Sequence, residues 1–352
     1  MHKINFIISF SSHFSFFYHL LDISIIDLHA CAWNPKGTDN NRMRKRRKFY
    51  RGATNHVYQR TVDGVQLFYT IVDCLVFYTI FATCAKSAEI KISTLCLMHN
   101  HVHFLAKTYT VQELSAFVDH YTAWFVHEYN TFVGRKGKLF KKNFGSAPKW
   151  DEKKLRSAII YIGNNPVEKH FCKKAIQHRW NFLAYCNNDH PFSEKIIKSK
   201  ASRELNKALK EVDLMVKLNR PLKYAQLIRL TREFSEKEME QFVDYVIFSY
   251  SPFDYDELAS HFKSFDLMLE AMDSTTGDDY DINEPRDSFS LDSFNDMMRH
   301  MQKSMKRYEI RKVTALPLDK KMEILNELRL HSRASEHQIC NFLHISTKRK
   351  MT

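Results

Sequence analysis

Two histidines one residue apart, His101 and His103, lie in the apolar run Leu97-Met98-His99-Asn100-His101-Val102-His103-Phe104-Leu105. The lead-in Lys91-Ile92-Ser93-Thr94-Leu95-Cys96-Leu97 is β-prone, so residues 91–106 are expected as one strand. Side chains alternate faces along a strand, so the two imidazoles project to the same side and can reach one ion. The chain holds 18 histidines, so a pair satisfied by its neighbours is an equal reading of this motif taken alone. A second element follows at Tyr161-Ile162-Gly163-Asn164-Asn165-Pro166-Val167. Asp151 suits a helix N-cap, Glu152 suits the positive end of the dipole, and Leu155, Ala158, Ile159 and Ile162 form an apolar stripe. A helix over 152–164 is therefore expected, ending near Asn165 because Pro166 disfavours the α conformation there. Tyr161 and Asn165 are four apart and share a face, so a phenol and an amide are offered together to whatever the histidines hold. The alternative is a buried tyrosine followed by an asparagine that caps the helix end.

Together these elements resemble the IS200-like, single-tyrosine HUH transposases, and among them the REP-associated tyrosine transposases. The strand in that family usually reads Met-Pro-Asn-His-Val-His-Leu-Leu, and Met98 to Leu105 departs mainly at His99. The helix typically reads Tyr-Ile-His-Leu-Asn-Pro-Val, matched by Tyr161, Ile162, Asn165, Pro166 and Val167 but not by Gly163 and Asn164. Phe49 to Tyr58 resembles the first strand, His120 to Phe125 and Gly134 to Lys141 the intervening helix and basic loop, and Arg179 to Tyr185 the closing segment. The resemblance runs from about residue 47 to about residue 187.

The resemblance implies Tyr161 as the nucleophile that attacks a scissile phosphate and stays joined to the 5′ end of the DNA, leaving a 3′ hydroxyl. It implies His101, His103 and Asn165 as ligands of a divalent cation, Mg²⁺ or Mn²⁺, acting as a Lewis acid. The partner it implies is single-stranded or hairpin DNA, handled by a monomer or a homodimer, in a bacterial cytoplasm in association with the nucleoid. It also implies an α+β, ferredoxin-like antiparallel sheet packed with helices. A mainly helical C-terminal region follows. Asn165 is taken as a ligand rather than only a cap, and His99 as the residue replacing a strand-entry proline. His120 and His127 are ordinary surface or DNA-facing residues.

Net charge is +13, the balance expected of a phosphate-binding protein. The cations cluster at Arg44, Lys45, Arg46 and Arg47, and again at Arg135, Lys136, Lys138, Lys141 and Lys142, which are the candidate DNA contacts. Phe140 and Phe144 interleave the second cluster, where bases could stack on rings while cations hold the backbone. Residues 254–296 carry thirteen acidic side chains against two basic ones. Seven scattered cysteines without a Cys-x-x-Cys exclude a zinc-finger or disulfide framework and fit a reducing compartment. No stretch approaches a charge-free transmembrane length, so no membrane partner is expected.

Residues 1–42 read as an N-terminal extension outside the fold, with translation expected to begin at Met43; an extra amphipathic helix is the alternative. Residues 43–190 are the expected catalytic domain. Strands are expected near 54–60, 67–72 and 91–106, and helices near 73–86, 111–130 and 152–164. A helical region over 195–273 includes helices at 204–216 and 235–247, and an acidic, disordered linker is expected over 274–290. Residues 291–352 are expected to be helical, with a helix near 318–331 and the start of a helix-turn-helix at Ala334 to Ser346. Two functions from different classes follow: a DNA strand-transferring enzyme, and a catalytically silent DNA-binding relative. The presence of all four residues, His101, His103, Tyr161 and Asn165, favours the first. A metal-dependent hydrolase using water is a third reading, and it would not need Tyr161.

Overall fold

The structure is a computed structural model, and it describes residues 49–141, 144–275, 291–307 and 313–345. The chain divides between Arg46 and Arg47, and the described residues all belong to the unit that begins at Arg47. Its centre is a four-stranded antiparallel sheet of β1 (Thr54–Arg60), β2 (Lys91–Met98), β3 (His101–Lys107) and β4 (Gly145–Lys149), in the order β2-β3-β1-β4. α1 (Ile71–Ser87) connects β1 to β2, and α2 (Val111–Val133) connects β3 to β4. These two interleaved β-α-β units make the ferredoxin-like α+β arrangement and put β3 and β1 in the middle of the sheet.

Alternation divides the sheet into two faces. Val57, Leu95, Leu97, Val102, Phe104 and Ala106 point to the side covered by α1 and α2. Cys96, Met98 and Leu105 point to the other side, where α3 (Glu152–Glu168) lies over them with Ala158, Ile159 and Ile162. α1 is buried on every side from Asp73 to Ala85, since it is also packed by α5 (Tyr224–Thr231) and α6 (Glu236–Tyr250). An apolar helix of this kind needs cover all round. α4 (Arg203–Lys217) completes that layer in the same hydrophobic core as the sheet. α8 (Phe265–Ser274) packs on α3, and α7 (Tyr255–Ser260) packs on α8 and β2.

Three expected elements change. Residues 67–72 do not form a strand: the Leu67 and Phe68 amides donate to the His99 carbonyl at 2.8 and 3.2 Å. The helix then starts at Ile71 on a capping box between Thr70 and Asp73, so local capping overrides β propensity. The single strand expected over 91–106 is a hairpin that turns at His99-Asn100. Asn100 fastens the turn: its carbonyl accepts from the Thr61 amide at 2.9 Å and its Nδ2 donates to the Gly64 carbonyl at 3.0 Å. α3 does not stop near Asn165 but runs to Glu168 with Pro166 inside it. The proline falls in the last turn, which closes by Phe171 N–H to Pro166 O (2.8 Å) and His170 N–H to Val167 O (2.9 Å). With His170 at φ +60°, this is a Schellman ending that satisfies the Pro166 and Val167 carbonyls at the helix end.

The C-terminal part has a small core of its own. α9 (Leu291–Arg307), α10 (Leu318–His331) and α11 (Glu336–Leu343) bury Met297, Met301, Leu325, Leu328, Phe342 and Leu343 together. The turn from α10 to α11 serves this packing, and any helix after α11 would fall beyond Ile345, outside the described residues. The acidic linker is likewise outside them from residue 276 onward. α11 is tied to the sheet domain where Tyr69 donates its hydroxyl to the Phe342 carbonyl at 2.7 Å and Gln66 N–H to the Asn341 carbonyl at 3.2 Å. No helix among the described residues is long and apolar enough to cross a membrane.

Candidate active site

Antiparallel pairing sets the site. Tyr58 lies opposite His103, Arg60 opposite His101 and His56 opposite Leu105, so these side chains share the sheet face that α3 covers. From α3, Tyr161 and Asn165 come down one helical turn apart, as their spacing requires. The rings of His101 and His103 have centroids 4.9 Å apart and stand perpendicular. Tyr161 meets His103 edge-on at 5.6 Å and His56 at 5.7 Å. Asn165 Oδ1 sits 3.4 Å from His101 Nε2. The structure thus brings together all four residues that the sequence singled out.

Each histidine is held from behind. His101 Nδ1 is 2.7 Å from the Asn100 side-chain oxygen, and His103 Nδ1 is 3.1 Å from His56 Nε2. With Nδ1 so engaged, Nε2 is the edge each ring has for a ligand. Asparagine and histidine here occupy the place that carboxylates and carbonyls often take behind ligating imidazoles. Burial holds the His103 imidazolium well below its usual pKa, and the His56, Arg60 and Lys169 charges push in the same direction. His103 is therefore a neutral imidazole, the form that binds metal.

The donors fit a divalent cation on their chemistry. Two imidazole nitrogens and an amide oxygen make a mixed set suited to hard or borderline ions such as Mn²⁺ or Mg²⁺. Among the described residues no group of three or more His, Cys, Asp or Glu side chains is placed to hold an ion. A cation at His101 and His103 would therefore need the Asn165 amide and substrate oxygens as further ligands. Asn165 Nδ2 is buried with no hydrogen-bond partner among the described residues, which frees the amide to choose its orientation.

His56 is the residue that sequence reasoning missed. It sits in a strand that was expected, two residues from Tyr58, but only the pairing of β1 with β3 puts it behind His103. His99, in contrast, leaves the cluster because the hairpin turn ends the alternation. Its ring stacks on Phe294 of α9 at 4.1 Å and meets Phe171 edge-on at 4.5 Å. Gly163 and Asn164, which depart from the resembled pattern, serve α8. A Cβ on Gly163 would lie 2.6 Å from Met272 Cε, and Asn164 donates to the Met272 carbonyl at 2.7 Å.

The basic residues are dispersed. Lys136, Lys138 and Lys141 are exposed on the loop after α2. Arg135 is half-buried, donating to Asn130 Oδ1 at 2.9 Å, and its charge bears on Lys321 and His344 of the C-terminal helices. Lys142 and Arg44, Lys45, Arg46 and Arg47 lie outside the described residues. Phe140 and Phe144 are buried in the core, with Phe140 packed near Phe77 and Phe125, so these two rings are not stacking surfaces. The bridge between Thr61 and Phe140 turns this part of the loop inward.

No curated protein matches the chain. A solved REP-associated tyrosine transposase bound to a REP hairpin is similar at 15% identity, with 38% of this chain and 79% of that chain covered and a TM-score of 0.34. That likeness is too slight to carry an argument. The model of the family described as "Transposase IS200 like" matches residues 41–165, from ahead of β1 to Asn165, and α4 to α11 lie beyond it. The segment that carries the sheet, the three histidines, Tyr161 and Asn165 is therefore the part of the chain that is similar to the IS200-like transposase family.

Proposed function

We propose that the chain cuts and transfers single-stranded DNA at hairpin-containing repeats through a 5′-phosphotyrosine intermediate at Tyr161. The observation that carries this reading is the meeting of α3 and β3: Tyr161 edge-on to His103 at 5.6 Å, with Asn165 3.4 Å from His101. A hydrolase using water has no need of a phenol in that position.

The Tyr161 phenol gives up its proton as its oxygen bonds to phosphorus, the bond from phosphorus to the 3′ oxygen breaks, and the departing 3′ oxygen takes up a proton, so the step is neutral in protons overall. The ester keeps the energy of the phosphodiester, so rejoining to another 3′ hydroxyl needs no nucleotide cofactor. His101, His103 and Asn165 would hold the divalent cation, which supplies Lewis-acid polarisation of the phosphate. Arg60 and Lys169, whose charges reach His103, add positive potential where a phosphate would bind. His56 and Asn100 keep the two imidazoles turned, so that little reorganisation is left for the reaction itself. The REP-type refinement rests on the Tyr-Ile-x-x-Asn-Pro-Val helix.

The test uses purified full-length chain and labelled single-stranded hairpins from the flanks of its gene, with Mn²⁺, Mg²⁺ or EDTA. A covalent protein–DNA band on a denaturing gel, dependent on metal and absent in Tyr161→Phe, is the expected result. Tight binding without any adduct across the flanking hairpins would instead favour the catalytically silent DNA-binding reading. Cleavage that persists in Tyr161→Phe would select the water-using hydrolase.

A further inference from the structure

Five rings converge at the site, and four are shut away: His56, His101, His103 and Tyr161 are each 4% exposed or less. The fifth, Tyr58, is 36% exposed. Its ring centroid lies 6.3 Å from His103 and 6.2 Å from His56. Across the β1–β4 pairing, Tyr58 faces Gly145, and a Cβ on that glycine would fall 2.0 Å from Tyr58 Cζ. The ring fills the space that a side chain at position 145 would take, and about a third of the residue is open to solvent. Register carries the same sheet face outward from Tyr58 to Thr54, which is flanked by the half-buried Lys107 and Lys149. Beyond Lys149, Trp150 is exposed, with Lys154 Nζ 3.4 Å from its ring centroid and Tyr50 at 6.3 Å.

We infer that Tyr58 is the stacking platform for the unpaired nucleobase beside the scissile phosphate, at the mouth of the site. A partly exposed aromatic ring packed beside the buried cluster, with lysines further along the same strand register, is the alternation that single-stranded nucleic acid uses: bases on rings, phosphates on cations. A base stacked on Tyr58 puts its own phosphate next to His103 and Tyr161, so the ring sets where along the strand the cut falls. This role rests on the strand-transfer reading above, and the experiment separates the two.

Hairpin oligonucleotides carry 2-aminopurine in turn at each unpaired position around the hairpin foot. They are titrated with full-length Tyr161→Phe, and with the same protein also bearing Tyr58→Phe, Tyr58→Leu or Tyr58→Ala. The Tyr161 chain maps the cut site separately through its covalent adduct. Quenching at the one position adjacent to that cut is expected with Tyr58 and with Tyr58→Phe, and is lost with Tyr58→Leu. Tyr58→Leu keeps volume over Gly145 but has no π-face, and it should weaken binding by about 5- to 150-fold, as expected for the loss of one stacked base. Adduct formation without Tyr58-dependent quenching at any position overturns the platform. Quenching that depends on Tyr58 without any adduct from the Tyr161 chain retires strand transfer and keeps Tyr58 as a nucleic-acid contact.

Discussion

Removing the imidazole behind His103 should loosen the cation more than the fold. His56 and His103 are both buried, and the 3.1 Å contact between His56 Nε2 and His103 Nδ1 couples the tautomers of the two rings, since one nitrogen must donate to the other. For His103 to bind a cation through Nε2, Nδ1 must keep its hydrogen and donate it to His56. His56→Phe keeps a ring of similar size but deletes that acceptor, leaving a buried N–H unmatched at a cost of about 1–3 kcal/mol. Loss of such a partner typically weakens metal binding by about 10- to 100-fold, which is about 1.4–2.8 kcal/mol and agrees with the penalty reckoned from burial. His56→Gln offers an acceptor again and should recover part of the loss. Mn²⁺ affinity of the apo chain, followed by electron paramagnetic resonance in the Tyr161→Phe background, measures the energy. Long-range ¹⁵N shifts of the His103 ring report the tautomer directly. Unchanged Mn²⁺ affinity in His56→Phe, or a His103 tautomer indifferent to the substitution, would refute the reasoning.

Two further outcomes test the packing away from the site. Asp244 is fully buried and accepts from Tyr185 Oη (2.7 Å), Ser193 Oγ (2.9 Å) and the Phe192 amide (3.0 Å), with Arg179 Nη2 at 3.3 Å. Asp244→Ala strands these donors and should lower stability by about 3–5 kcal/mol in urea titrations, and a loss under about 1 kcal/mol would contradict the network. Lys321 is held down to about 8 by burial, with Arg135 adding to the effect. Its folded form binds fewer protons than its unfolded form between about 8 and the ordinary lysine value, so the wild-type chain gains stability as pH rises through that window. Lys321→Met should therefore be more stable at pH 7, by on the order of 1 kcal/mol. Thermal melts of the two chains should converge toward pH 10.5, and a difference that is constant with pH would rule the titration out.

Much of the site was legible because its signals are local. The two-residue step from His101 to His103 and the four-residue step from Tyr161 to Asn165 fix faces whatever the rest of the chain does. α1, α2 and α10 could be read from apolar content and caps such as Thr110 and Gly134, which close both ends of α2. What could not be read depends on residues distant in sequence. The turn at Asn100 is fastened by Gly64, Phe68 finds its partner in the His99 carbonyl, and His56 acquires its place only through β1–β3 pairing. The proline in α3 misled for a different reason: it costs the helix a single N–H, and the side-chain packing of α3 on the sheet and α8 carries the helix past it to the Schellman ending at His170. Phe140 and Phe144 looked like partners of the basic loop because sequence adjacency cannot tell an inward residue from an outward one.

The placement of β3 and β1 in the middle of the sheet has a mechanical consequence. Both strands of the inner pair are hydrogen-bonded on both sides, and such strands exchange their amides last, close to the global unfolding limit. The three histidines thus stand on the stiffest part of the molecule, whereas Tyr161 and Asn165 ride on a helix held to it by side-chain packing. The site resembles a vice with one fixed jaw and one adjustable jaw. Whatever yielding is needed to admit a phosphate beside a phenol only 4% exposed falls to α3 and to α8 packed against it, not to the strands. Native-state hydrogen exchange should accordingly rank the α3 amides below those of β3, with the order set by architecture before any DNA is bound.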